Sequence, residues 1–226
     1  MPKIGLIGGL AFRAGIFYYE QLMQRYRARG EPLELILAHA DISRVLSFVN
    51  ARDAAGLGDY LGSLANALSD AGCGIVAVTA VAPHFAIAEL SRIARVPIAN
   101  VLEAIAAKLC ASGLHGRVAV FGNRAVVQTN VFGAVPEAMA MPMDASTLEF
   151  VHETYNRIAL EGKRGTQPET DALSRVAHGL LDDHGAQTIL LAGTDLSSFY
   201  AKTPPDFPFL DVARLHIDQI VRLAAG

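Results

Sequence analysis

Two stretches of this chain repeat one another, which narrows the fold to a duplicated α/β frame. Gly72-Cys73-Gly74-Ile75-Val76-Ala77-Val78-Thr79-Ala80 runs from a helix end through an apolar strand into a turn. Gly185-Ala186-Gln187-Thr188-Ile189-Leu190-Leu191-Ala192-Gly193 runs the same way 113 residues later, 72 against 185. A second pair agrees: Lys3-Ile4-Gly5-Leu6-Ile7-Gly8 matches Arg117-Val118-Ala119-Val120-Phe121-Gly122, 8 against 122. The expectation is two pseudo-symmetric α/β domains, residues 1–101 with 210–226 and residues 102–209, with a ligand cleft between them. The strand ends at Ala80 and Gly193 should then face each other, and neither carries a reactive side chain.

Short apolar runs alternate with longer amphipathic stretches, the pattern of short, mostly parallel sheets flanked by crossover helices. Strands are expected near Lys3–Ile7, Leu33–His39, Ile75–Val78, Ile98–Val101, Arg117–Phe121, Ala138–Met141 and Thr188–Leu191. Helices fill Gly15–Arg29, Gly56–Ala71, His84–Arg95, Val101–Ala111, Arg124–Gly133, Asp144–Leu160, Pro168–His184 and Val212–Ala224. Gly162 to Gln167 and Thr203–Pro208 read as loops. A hydrophobic content of 52% fits strands covered on both faces.

The formal charge of −3 argues against nucleic acid or an anionic membrane surface as partner. No apolar run reaches the length of a membrane span, because Thr79, Pro83 and His84 interrupt the longest. Cys73 and Cys110 are too few for a disulfide framework or a zinc site and suit a reducing cytoplasm. Cys73 precedes its strand and Cys110 lies within a helical run, so both read as packing residues.

In open α/β sheets ligands bind beyond the carboxyl ends of the strands. That rule selects Gly8–Ala14, Ala38–Ile42, Thr79–His84, Gly122–Val126 and Ala192–Ser198. Helices are expected after each, and their free N–H groups would favour a small carboxylate. Gly8-Gly9-Leu10 lacks the third glycine and the acidic partner of a dinucleotide fingerprint, so it reads equally as a tight turn or a ligand loop. His84, after the helix-opening Pro83, is either an acid–base group or a packed helix start. Asp195 is either a first-turn acid or a base held in the cleft. Arg13, Asn123 and Arg124 could hold a substrate carboxylate, and a solvated side chain is the plainer reading of each arginine. The remaining histidines show no metal-ligand spacing, and His39 lies at a strand tip.

The run Ile4-Gly5-Leu6-Ile7-Gly8-Gly9-Leu10, with Ala14-Gly15 and Tyr18-Tyr19, resembles the opening of the aspartate/glutamate racemase family. The resemblance continues through Ala71-Gly72, Ala80-Val81-Ala82-Pro83-His84, Val96-Pro97-Ile98, Phe121-Gly122-Asn123-Arg124, Ala192-Gly193-Thr194-Asp195, Asp211 and His216. It implies a site between two similar domains, no cofactor, and frequent homodimers. In that family two opposed thiols, one from each half, remove and return an α-proton. Here the Cys-Asn-Thr motif reads Ala80-Val81-Ala82 and the Gly-Cys-Thr-Glu motif reads Ala192-Gly193-Thr194-Asp195, so both thiol positions are blank. Val81 and Ala82 replace polar residues, Ala11 a small polar or glycine position, and Val126 a threonine. Thr79 lies one residue early, on the opposite strand face unless a bulge turns it.

The resulting expectation is an enzyme acting on a small carboxylate or amino acid by one-sided proton transfer, decarboxylation or elimination. Asp195, His84 and Thr194 would carry the chemistry; Gly9, Leu10, Arg13, Ala80, Val81, Ala82, Asn123, Arg124 and Gly193 would line the substrate. An amino-acid racemase with other acid–base residues and a non-catalytic ligand-binding homologue are the alternatives.

Overall fold

The computed structural model describes residues 2–11, 13–161 and 167–225. The loop expected from Gly162 lies, through residue 166, outside them. The chain divides into two compact units, Met1–Val101 with His216–Gly226, and Leu102–Leu215.

The first unit is built on a four-stranded parallel sheet in the order β2-β1-β3-β4: β1 Lys3–Gly8, β2 Leu35–His39, β3 Cys73–Val78 and β4 Ile98–Ala99. Four helices belong to it: α1 Ala14–Arg29, α2 Ile42–Ala51, α3 Ala54–Asp70 and α4 Ile87–Ile93. The side chains of Asp41 and Asp53 cap α2 and α3 by accepting backbone N–H bonds, which satisfies first-turn donors. Ile7, Leu57, Leu61, Val76, Val78 and Leu90 form the core between sheet and helices. A fifth helix, α5 Val101–Ala111, leads into the second unit.

The second unit repeats the arrangement with three parallel strands in the order β5-β6-β7: β5 Arg117–Phe121, β6 Ala186–Leu191 and β7 Phe209–Asp211. Its helices are α6 Arg124–Gln128, α7 Ala145–Glu161, α8 Gln167–His178 and α9 Thr194–Phe199, and α10 Val212–Ala225 runs on into the first unit. Its core is formed by Phe121, Val151, Ile158, Leu173, Ile189 and Leu191 with the aromatic rings of Phe199, Tyr200 and Phe207.

The internal repeat is visible at the level of register. Pairing of β1 with β3 slips once, between Lys3 and Ile4, and pairing of β5 with β6 slips at the matching place, between Arg117 and Val118. Beyond the strands, Thr79 donates its N–H to Ile7 O (3.0 Å) and Ala192 donates to Phe121 O (2.8 Å), closing both strand ends in the same way.

Four elements depart from the sequence expectation. Ala138–Met141 is no strand: Glu137–Met139 is a 3₁₀ turn, and a single parallel bridge joins Ala140 to Val118. Flanking Pro136 and Pro142 cannot donate to a ladder, which keeps the pairing to one bridge. The helix expected to Gly133 stops at Gln128, because Asn130, Val131 and Phe132 adopt positive φ of 51°, 56° and 53°. The α2 helix and the short β7 were not anticipated.

Candidate functional site

At the first unit's strand tip, Gly9 follows β1 with φ +82°; a Cβ there would meet His39 Nδ1 at 2.4 Å and Ala40 O at 2.6 Å. This glycine is fixed by the close approach of the β2 end, and His39 packs over it. Leu10, Ala80 and Val81 are buried, the first two in the first unit's core. Ala82 opens a 3₁₀ turn, Ala82–Ala86, that carries His84. Arg13 stands at the N-cap of α1 and makes no side-chain capping bond. Thr79 donates its hydroxyl to Ile7 O (3.2 Å), and the ladder stays in register through Val78. No bulge turns Thr79 toward the Ala80 side, so it does not replace a thiol.

His84 is sealed inside this unit. Its Nδ1 lies 2.9 Å from Ala80 O, and because a carbonyl only accepts, Nδ1 carries the proton. Nε2 is buried and has no hydrogen-bond partner among the described residues. The ring meets His216 edge-on at 5.8 Å. His216 Nε2 in turn donates to Ala99 O (2.9 Å), leaving its Nδ1 to accept from the Tyr18 hydroxyl (2.9 Å). Burial pushes the imidazole of His84 down to about 4; burial and the neighbouring His84 push His216 down to about 3. Both rings are neutral at pH 7, and His84 is hydrogen-bonded to the strand tip at Ala80.

The second unit's tip is polar. Thr194, Asp195 and Ser197 open α9 directly from the end of β6, and all three are buried. Asp211, at the end of β7, ties that helix down: it accepts the Ser197 hydroxyl (2.6 Å), the Arg214 N–H (3.0 Å) and Arg214 Nε (3.2 Å). Asn123 caps α6 by accepting the Val126 N–H (3.0 Å). Arg124 pairs with Glu149 on α7 and donates its backbone N–H to His152 Nδ1 (3.0 Å). Asn123 and Arg124 thus both make bonds within this unit.

Sequence reasoning missed Tyr155. A Cβ on Gly193 would sit 2.0 Å from its Cε2, 2.5 Å from Cδ2 and 2.8 Å from Cζ, so the ring occupies the space over Gly193. The phenol also feels Asp195: burial first, and the nearby carboxylate second, hold its acidity well below that of a free tyrosine. No local signal marks this residue, since one tyrosine on an amphipathic helix reads as packing.

Of the expected residues, the structure gathers Gly193, Thr194 and Asp195 with Tyr155 in the second unit. It gathers Gly9, Leu10, Ala80, Val81, Ala82 and His84 in the first. The helices opening at Arg124 and Thr194 span only 5 and 6 residues, so the expected dipole contribution there is small. Among the described residues no group of His, Cys, Asp and Glu could hold a metal ion, and no helix is long and apolar enough to cross a membrane.

Comparison with known proteins is consistent with this frame. A putative Asp/Glu racemase from Yersinia pestis superposes with a TM-score of 0.81 at 20% identity, covering 100% of both chains. An aspartate racemase homologue from Pyrococcus horikoshii gives 0.79 at 21% identity, again covering 100% of both. Arylmalonate decarboxylase gives 0.56 at 14% identity, covering 100% of this chain and 93% of the other. At these identities the likeness establishes the fold. No curated protein matches by sequence. The model of the family described as Asp/Glu/Hydantoin racemase matches residues 7–220, and the chain belongs to that family.

Proposed function

We propose that this protein is an enzyme acting on a small carboxylate or amino acid without a pair of catalytic thiols. Its chemistry is a one-sided proton transfer, as in decarboxylation or elimination, served by the second unit. One observation carries the reading: Tyr155 fills the volume over Gly193, so that strand tip has no room for a thiol-bearing side chain. The other tip ends in Ala80-Val81-Ala82, which offers no acid or base. Asp195 is the ionisable group set beside Thr194 at a strand end, where it can take or orient a proton. The Thr194 hydroxyl serves as a carboxylate contact. A decarboxylase sharing the fold supports the view that this frame accommodates such chemistry.

The test is proton NMR in D₂O with a panel of amino acids, hydroxy acids and substituted malonates. Conversion or Cα exchange by the native protein, lost on Asp195→Asn by about 100-fold or more, is expected. Ligand-dependent thermal shifts without any conversion would instead identify a binding protein, and exchange that survives Asp195→Asn would overturn this assignment of roles.

A further inference from the structure

We propose that Tyr155 is the proton-delivering side chain of this site, a phenol standing over the strand tip at Gly193. The inference rests on the non-thiol reading above and names the group that performs its proton transfer. Three observations converge on it. The ring lies across Gly193 so closely that any Cβ would collide with it. Tyr155 as a whole residue is only partly buried, whereas Thr194 and Asp195 beside it are 1% and 2% exposed. Asp195 lies near enough to influence its ionisation.

A phenol beside a carboxylate keeps its proton at neutral pH, so it is suited to give one rather than to abstract one. That fits a reaction in which the carbanion arises without a base. For a malonate-type geminal dicarboxylate, the bond from Cα to one carboxylate breaks and CO₂ leaves. The electron pair stays on Cα, delocalised into the remaining carboxylate. The Tyr155 O–H bond then breaks as the new Cα–H bond forms, and the phenolate recovers a proton from water. The sum is one dicarboxylate and one proton giving one monocarboxylate and CO₂, with no oxidant or cofactor required.

Tyr200 supplies the internal control. It is a second phenol of the same unit, its acidity also weakened by burial, and its hydroxyl has no hydrogen-bond partner among the described residues. Its Coulomb neighbour is Asp206 rather than Asp195.

The experiment compares native protein, Tyr155→Phe, Tyr200→Phe and Asp195→Asn with prochiral disubstituted malonates in D₂O. It follows kcat, KM and the configuration of the deuterated product. Phenylalanine keeps the ring over Gly193, so the unfolding midpoint should stay near the native value. Tyr155→Phe is expected to lower kcat by about 100-fold with KM nearly unchanged, and its residual product should approach a racemate. Tyr200→Phe should leave rate and configuration as they are. Native turnover with a Tyr155→Phe variant that keeps its rate and stereochemistry would overturn the role of Tyr155 while leaving the non-thiol enzyme standing. No turnover of malonates by native protein, with other acids converted through Asp195, would also overturn it, and no turnover of any acid would remove both readings.

Discussion

The tips of β3 and β6 are built on one plan and finished in two ways. Both follow a strand with the same register slip, and both close with an N–H donated to the neighbouring strand. Beyond that point the first unit becomes apolar and self-contained, with two neutral imidazoles buried behind Ala80. The second becomes polar, with Thr194, Asp195 and Tyr155 gathered around a glycine. The lesson is that backbone hydrogen bonding preserves the frame, while the few side chains at the strand end are free to diverge.

The comparison is most open to attack through pH. Imidazoles that bind a proton near 6.5 when unfolded do so only near 4 and 3 when folded. The unfolded state therefore holds more protons below pH 6.5, so stability is fully present above that value and falls toward pH 4. Each histidine contributes up to about 1.4 kcal/mol per pH unit within its window. Urea titrations from pH 7 to 4 should show this slope, and His84→Gln should flatten it. The second unit has the opposite sensitivity. Tyr155 ionises above its ordinary value near 10, so its contribution is present below pH 10 and lost above.

Steric contrast comes next in size. Gly193→Ala should cost about 2–3 kcal/mol, because the new methyl meets the Tyr155 ring at 2.0 Å. Combining it with Tyr155→Ala should give a coupling of about 1–2 kcal/mol in a double-mutant cycle. Ala80→Ser, at the matching tip, should cost less than Gly193→Ala by denaturant unfolding. Asp211→Ala strands the buried Ser197 hydroxyl and should cost about 1–3 kcal/mol, read in the same experiment. Arg124→Ala should matter least. It removes a half-exposed ion pair with Glu149, worth below about 1 kcal/mol and screened by salt.

How much of this was legible in the sequence depends on how local the signal was. The parallel frame announced itself because buried strands need unbroken apolar runs, as at Ile189-Leu190-Leu191 and Ile75-Val76. The tips follow from the repeat, which puts Gly193, Thr194 and Asp195 just beyond β6. The α2 helix was missed although Asp41 caps it; only Arg52 and Asp53 separate it from α3. The 3-residue β7 strand was hidden among Pro204, Pro205 and Pro208. His84 reads as a site candidate because it follows Pro83; its ring neighbour His216 comes from α10, far along the chain, and only folding brings them together. Tyr155 was invisible for the same reason, reaching Gly193 from a separate helix.

Under the function proposed here, proton transfer needs Asp195 and no thiol. The most direct measurement is turnover in D₂O by the doubly substituted Cys73→Ser, Cys110→Ser protein beside Asp195→Asn, on whichever acid the native protein converts. The cysteine-free protein is expected to keep its activity within about threefold while Asp195→Asn loses about 100-fold or more. Activity lost with the two cysteines and retained without Asp195 would contradict it.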